Sequence, residues 1–160
     1  MIGNTAERGV SVAVTHVLTI GITTILIGML LMGASAMLEF ETERSAESSL
    51  ETIGERLAGE VSNVDRMANK DDDSVAMAAD HPRQVANTGY MVTLLPESEC
   101  SDAPLLTEPT DCLRLVADDH DVTVHVPLVV EADVEKSDAT GGPITVAHED
   151  GNISIESERR

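Results

Sequence analysis

The residues able to do chemistry in this sequence are few and scattered. Cys100 and Cys112 are its two cysteines. No C-x-x-C pair and no matched histidines accompany them, which disfavours zinc. If the domain that carries them lies outside the cytoplasm, a disulfide closing their loop is expected; in the chain-entropy account it contributes about 3 kcal/mol. Asp71-Asp72-Asp73 and Asp118-Asp119-His120-Asp121 are rich in oxygen donors, but neither has the alternating spacing of a calcium loop. His120 and His125, with Asp119 and Asp121, are donor types that suit a transition metal. On a strand, residues 119, 121 and 125 would share a face and 120 would not, so the set does not converge. Solvated surface is the better reading of both clusters. No metal and no cofactor is expected. There is no G-x-S-x-G, no P-loop, no Cys/His nucleophile pairing and no His-Glu metalloprotease motif. No catalytic residue is nominated, and the chain is expected not to be an enzyme. One sequon, Asn152-Ile153-Ser154, makes Asn152 a candidate N-glycosylation acceptor.

The elements that would carry these groups are clearer than the groups. After a short polar stretch at residues 1–9, residues 10–38 contain no formal charge. As a helix this run is about 43 Å long, against about 30 Å for a bilayer hydrocarbon core. It reads as a transmembrane helix. Within it, Ser11, Thr15, Thr19 and Thr23 recur every four residues, and Gly21 and Gly28 add small side chains. Small and hydroxylated helix faces favour close helix–helix approach in lipid. His16 is the span's ionisable group and receives no proton-transfer role. Residues 39–70 turn polar but stay helical. Leu50, Ile53, Leu57, Val61, Val64 and Ala68 recur at spacings of three and four, one apolar stripe with acids on the other faces. One helix from Val10 to near Lys70 is the simplest reading, with Gly33 and Gly54 as weak points. Residues 75–79 read as a short helical turn before Pro82. From there the period changes to that of strands, at 88–95, 112–117, 122–130, 144–148 and 153–157. Gly141-Gly142-Pro143 and Asp150-Gly151 are turn signals. The expected architecture is α+β: a long N-terminal transmembrane helix, an amphipathic helical extension, then a small antiparallel β domain over 71–160.

Charge narrows the function. The formal net charge is −19, from 10 basic and 29 acidic residues. Glu7 and Arg8 cancel, so the whole imbalance, 28 acids against 9 bases, falls on residues 39–160. A nucleic-acid phosphate binder needs a basic surface, so that class is set aside. Surfaces this acidic arise from disorder, from cation binding, or from the need to stay soluble in very high salt. With two lysines among the bases, and acids spread through apolar-patterned stretches, high salt is the preferred reading. Phe40 and Tyr90 are the aromatics. The outer core must therefore be aliphatic and thin.

Glu7-Arg8-Gly9-Val10-Ser11 is the most informative local sequence. A charge and a small residue stand directly before a long apolar helix. This resembles the signal of haloarchaeal type IV pilins and archaellins, in which a peptidase cuts before the apolar helix and leaves it on the mature subunit. Arg8-Gly9 and Val10-Ser11 match that pattern, and Val17-Leu18-Thr19-Ile20-Gly21-Ile22-Thr23 resembles its aliphatic stretch. Val12 stands where these pilins usually have proline, and His16 where they have an aliphatic residue. The resemblance covers about 30 residues, as a 17–25-residue span with its flanks would, and implies cleavage between Gly9 and Val10. It also implies a non-enzymatic, pilin-like subunit of a surface filament, minor or accessory in view of Val12 and His16. Its partners would be membrane lipid, a prepilin-type peptidase and other pilin-like subunits. The outer domain would face away from the cytoplasm, although Arg8 alone gives little positive-inside signal. The alternative is a single-pass anchored adaptor whose outer domain binds an envelope partner without polymerising.

Overall fold

The computed structural model describes residues 4–71, 74–100, 109–119 and 121–158, with side chains from residue 13 onward except 36 and 69–71. The chain divides into two compact units, Met1–Glu41 and Thr42–Arg160.

The first unit is helical. Helix α1, Asn4–Asp71, begins in it and runs through the expected span and extension as one element. Neither Gly33 nor Gly54 ends it. Its apolar part is long and apolar enough to cross a membrane, and none of that window is buried within the protein. Leu18, Ile22, Leu26 and Leu30 are all more than half exposed. A helix that is apolar on every side has no solvent-facing face of its own and needs lipid or other helices around it.

The second unit is built on the C-terminal part of α1. The predicted stripe is its buried edge: Leu50, Leu57, Val61 and Val64 are fully buried and Ile53 and Ala68 nearly so, and fully buried Ala46 extends it by one turn. Against it pack, among the described residues, eight strands in two four-stranded sheets. The strands are β1 Val75–Asp80, β2 Tyr90–Leu95, β3 Cys112–Ala117, β4 Thr123–Pro127, β5 Asp133–Val134, β6 Ser137–Thr140, β7 Pro143–Glu149 and β8 Asn152–Ser157. The sheet orders are β1-β7-β8-β5 and β4-β3-β2-β6. Inward residues of both sheets, among them Val92, Leu94, Leu113, Leu115, Ile144, Val146 and Ile153, join the helical stripe in one apolar core.

The two sheets meet along β8. Segments β5 and β6 are consecutive in the chain, and both run beside that strand. First β5 pairs with it by main chain, Asp133 opposite Asn152 and Val134 opposite Ile153. Then Glu135 N–H donates to Ile153 O at 2.9 Å. Beyond that point hydroxyls replace carbonyls: Ile155 N–H donates to Ser137 Oγ at 2.9 Å, and Thr140 N–H to Ser157 Oγ at 2.7 Å. The side-chain bonds let the strand turn away from β8 while keeping its amides satisfied. The two sheets are thereby joined through β6 and β8.

Three expectations need correction. Residues 75–79 are not a helical turn but lie in β1, paired antiparallel with β7. Val75, Met77 and Ala79 are half-buried while Ala76, Ala78 and Asp80 are exposed. Alanine-rich sequence favours helix locally, and pairing with β7 overrides it. The strand expected over 122–130 stops at Pro127, opposite Cys112, the first residue of β3. The β domain is mixed rather than antiparallel, since β5 pairs parallel with β8. Both β5 and β6 escaped notice because Asp133–Thr140 lacks an apolar alternation. The Asp150-Gly151 turn joins β7 to β8, with φ of 50° and 84°, the left-handed pair that a tight hairpin requires.

Candidate functional site

In the first unit the candidate surface is the bare helix itself. Its hydroxyls are turned inward on their own backbone. Thr19 Oγ1 donates to Thr15 O at 2.8 Å, Thr23 Oγ1 to Thr19 O at 2.7 Å and Thr24 Oγ1 to Ile20 O at 2.8 Å. A hydroxyl bonded this way can face hydrocarbon with its donor satisfied, and its methyl is what a neighbour meets. Successive residues turn by about 100°, so Thr15, Thr19 and Thr23 drift only about 40° per step and form one stripe. Gly21 and Gly28, seven residues apart, fall on the side opposite Thr19. The small residues thus make two faces rather than one. A Cβ at Gly21, Gly28 or Gly33 would meet nothing within 4 Å, so none of these glycines is required by packing inside the unit. His16 is exposed on this helix. Gly9, Val10 and Ser11 lie in α1, but their side chains are outside the described residues.

In the second unit polar ties fix the helix to the sheet. Asp65, almost fully buried, accepts two main-chain donors: Glu131 N–H on Oδ2 and Ala132 N–H on Oδ1, each at 3.0 Å. These amides belong to the loop entering β5, so the helix positions the strand that bridges the sheets. Glu60 reaches buried His81 at 2.9 Å and Arg56 at 3.2 Å. That holds the segment between β1 and β2 against the helix. Tyr90 donates its hydroxyl to Pro82 O at 2.6 Å. Its ring occupies the space that a side chain at Gly141 would need. Burial pushes the Tyr90 phenol up to about 12, with the Gly142 main chain acting weakly the other way.

The expected disulfide is present. Cys100 and Cys112 are bonded, with Cα atoms 6.0 Å apart. Both are buried with Leu95, in a small cluster separate from the main core. Cys112 opens β3 opposite Leu95 of β2, so the bridge closes the loop between those strands. Beside this loop lies a cleft of about 610 Å³ lined by Pro96, Glu97, Ser98, Pro109, Asp111, Ala132, Asp133 and Val134. One of its carboxylates is already committed, since Asp111 Oδ1 accepts Glu97 N–H at 2.8 Å.

The acidic clusters do not converge. Asp119 is engaged with Thr88, whose hydroxyl donates to its carboxylate at 2.9 Å. His125 lies on β4 opposite Arg114. His120, Asp72 and Asp73 are outside the described residues. Among the described residues, no three His, Cys, Asp or Glu side chains are grouped to share a metal ion. Asn152 is exposed at the first position of β8, beside the Asp150-Gly151 turn, where an acceptor would be reachable. Asp65, Glu60, His81, Tyr90 and Arg114 were not singled out from sequence. A faint signal existed for Asp65, which stands one turn beyond Val61 on the flank of the apolar stripe.

This is an α+β protein defined by a bare apolar helix and two joined β-sheets packed on that helix's C-terminal continuation. The chain belongs to a family of unknown function, DUF7266, whose model matches residues 5–158. No curated protein and no solved structure matches it.

Proposed function

We propose that this chain is a non-enzymatic, pilin-like, membrane-anchored subunit of an archaeal surface filament or pilus-like assembly, in a minor or accessory role. The observation that carries the reading is the contrast within α1. Its C-terminal part buries one stripe in a core, whereas its N-terminal part is apolar and exposed throughout the described side chains. Lipid satisfies such a surface before assembly, and helices of other copies satisfy it afterwards. The back-bonded threonines and the opposed Thr and Gly faces support contact on two sides, as a packed bundle needs. The Arg8-Gly9-Val10-Ser11 resemblance supplies the processing step, a prepilin-type peptidase cutting between Gly9 and Val10. The outer unit then faces away from the cytoplasm, where a Cys100–Cys112 disulfide persists.

The mechanism is mechanical. Exchanging helix–lipid for helix–helix contact requires no reaction on the outer unit and no cofactor. Val12 and His16, which depart from the pilin pattern, favour the second reading, an anchored adaptor that binds an envelope partner without polymerising. N-terminal mass spectrometry of the membrane-extracted protein decides between them. A chain beginning at Val10 is the expected result. An intact Met1 or Ile2 start overturns the pilin-like reading and leaves the adaptor.

A further inference from the structure

Arg114 is one of few basic residues in a chain crowded with carboxylates. It lies in β3 between Leu113 and Leu115, which are fully buried toward the helix. Alternation therefore places Arg114 on the outer face of the sheet. Its cross-strand row contains Thr93 on β2, Asp138 beyond it on β6, and His125 on β4. The carboxylate in that row is already engaged: Asp138 Oδ1 accepts the Thr93 hydroxyl at 2.6 Å. Among the described residues the ion pairs are Arg56–Glu60, His81–Glu60 and Lys136–Glu99, and Arg114 is in none of them. Its Nε is closed off from solvent and meets no hydrogen-bond acceptor. His125 beside it is held toward its neutral form, its pKa lowered by burial and then by the Arg114 charge. Arg114 is half-buried, and its enclosed Nε lacks an acceptor that an incoming carboxylate would supply. In the next row Met91 is 45% exposed and faces half-buried Val116, giving the site an apolar margin.

The complementary surface lies on the same unit. Glu43, Glu47, Glu51 and Glu55 recur every four residues on α1. Glu47, Glu51 and Glu55 are exposed and belong to none of those ion pairs. Like charges at this spacing work against the helix. Arg44 stands three residues before Glu47 and about 60° round the helix from it, so the three exposed carboxylates of the row have that one arginine as a neighbour. Within one copy the sheet separates this row from Arg114.

We propose that Arg114 receives a carboxylate from the Glu47, Glu51 and Glu55 row of a second copy of this chain, with His125, Met91 and Val116 forming the rest of the contact. Two different surfaces meet, so the contact is heterologous and repeats from copy to copy. It rests on the assembly reading and specifies how outer units touch.

The test is photo-crosslinking of the full chain in its native membrane. A benzoylphenylalanine at position 123, on the exposed edge strand beside Val116, probes the outer contact. A second at position 26 probes the apolar helix. Adducts between copies from position 123, landing in the peptide that contains Glu47 to Glu55, are expected. Arg114→Glu should lower their yield about tenfold. Glu51→Arg with Glu55→Arg, on an exposed helix face that cannot disturb the core, should do the same. Combining the two reversals should restore the yield to within about twofold, since the pair is re-formed with its charges exchanged. Helix adducts without outer adducts, or outer adducts unaffected by Arg114→Glu, overturn this contact and leave assembly standing. Loss without rescue in the combined variant also overturns it, because Arg114 would then act through the fold. Absence of both kinds of adduct overturns the contact and the assembly reading together.

Discussion

Two glycines five residues apart on one helix should respond to alanine with opposite signs. At Gly54 an added Cβ would lie 2.7 Å from Val126 Cγ2 and 2.9 Å from Leu115 Cδ1. Carbon atoms in contact sit at about 3.5–4.0 Å, so the helix and the sheet would have to move apart or two side chains would have to leave their rotamers. Leu115 is fully buried and Val126 is 8% exposed, which leaves little room to yield. Overpacking of this kind costs about 1–3 kcal/mol. Replacing glycine in a helix interior returns about 0.5–1 kcal/mol. Overpacking wins, and Gly54→Ala should lose about 1–2 kcal/mol. At Gly59 nothing lies within 4 Å, so the propensity gain stands alone and Gly59→Ala should gain about 0.5–1 kcal/mol. Urea unfolding of the full chain in mild detergent, followed by circular dichroism because the protein has no tryptophan, measures both. A Gly54→Ala variant as stable as the wild type, or more so, would refute the close approach of helix and sheet. In the variant that also carries Val126→Ala, the two losses should not add, since the second substitution vacates the space the first needs.

The other predictions use the same unfolding assay unless stated. Asp65→Ala strips the acceptor from the amides of Glu131 and Ala132 and should cost about 2–4 kcal/mol, with Asp65→Asn intermediate; hydrogen exchange at those two amides should accelerate first. Cys100 and Cys112 should resist alkylation in native protein until reduced, and reduction should cost about 2–4 kcal/mol; rapid labelling of both without reductant would contradict the bridge. For Tyr90, the folded state keeps the phenol proton to about 12 whereas the unfolded chain releases it near 10.0, so stability is intact below the lower value and falls as pH rises between them. The total loss is about 2–3 kcal/mol, and Tyr90→Phe should abolish it. Lowering salt should unfold the outer unit, because the carboxylates then repel over a longer Debye length; a melting temperature indifferent to salt would count against the high-salt reading of the composition.

The helical half of this fold was written plainly in the sequence because its signals are periodic and local. The uncharged run at 10–38 and the stripe from Leu50 to Ala68 both need only the 3.6-residue repeat to be seen. The strand at 112–117 was legible for the same reason, with residues that alternate and a cysteine to start it. What escaped depended on partners distant in sequence. Residues 75–80 are strand only because β7 lies beside them. Ser137 looks like a loop residue, and Ser157 like an ordinary strand end, until each is seen to replace a carbonyl between β6 and β8. Gly54 read as a weak point in the helix, whereas it is a place where the helix lies close against the sheet. Asp65 and His81 were invisible as ties because a charge in sequence carries no mark of burial. Arg114 could not stand out until the strand register showed that no acid lay opposite it.

These features share a physical logic. A chain with so thin an aliphatic core gains little from burial alone, so its outer unit relies on directional ties. Asp65 holds the bridging strand, Glu60 holds His81, Tyr90 closes over Gly141, and the disulfide fixes the loop after β2. Each tie is a hydrogen bond or covalent bond whose acceptor or partner survives high salt, where long-range charge effects are screened. Self-repulsion among carboxylates is screened under the same conditions. The N-terminal part of α1 uses the opposite strategy, with no charge after Arg8 until Glu39 and its hydroxyls bonded to its own backbone. On the proposed reading, nothing among its described side chains resists leaving lipid for another helix of the same kind. On the proposed reading, association in the membrane is therefore set by packing at the Thr and Gly faces. The choice of neighbour falls to the second unit, where Arg114, its enclosed Nε without an acceptor, has many carboxylates to meet.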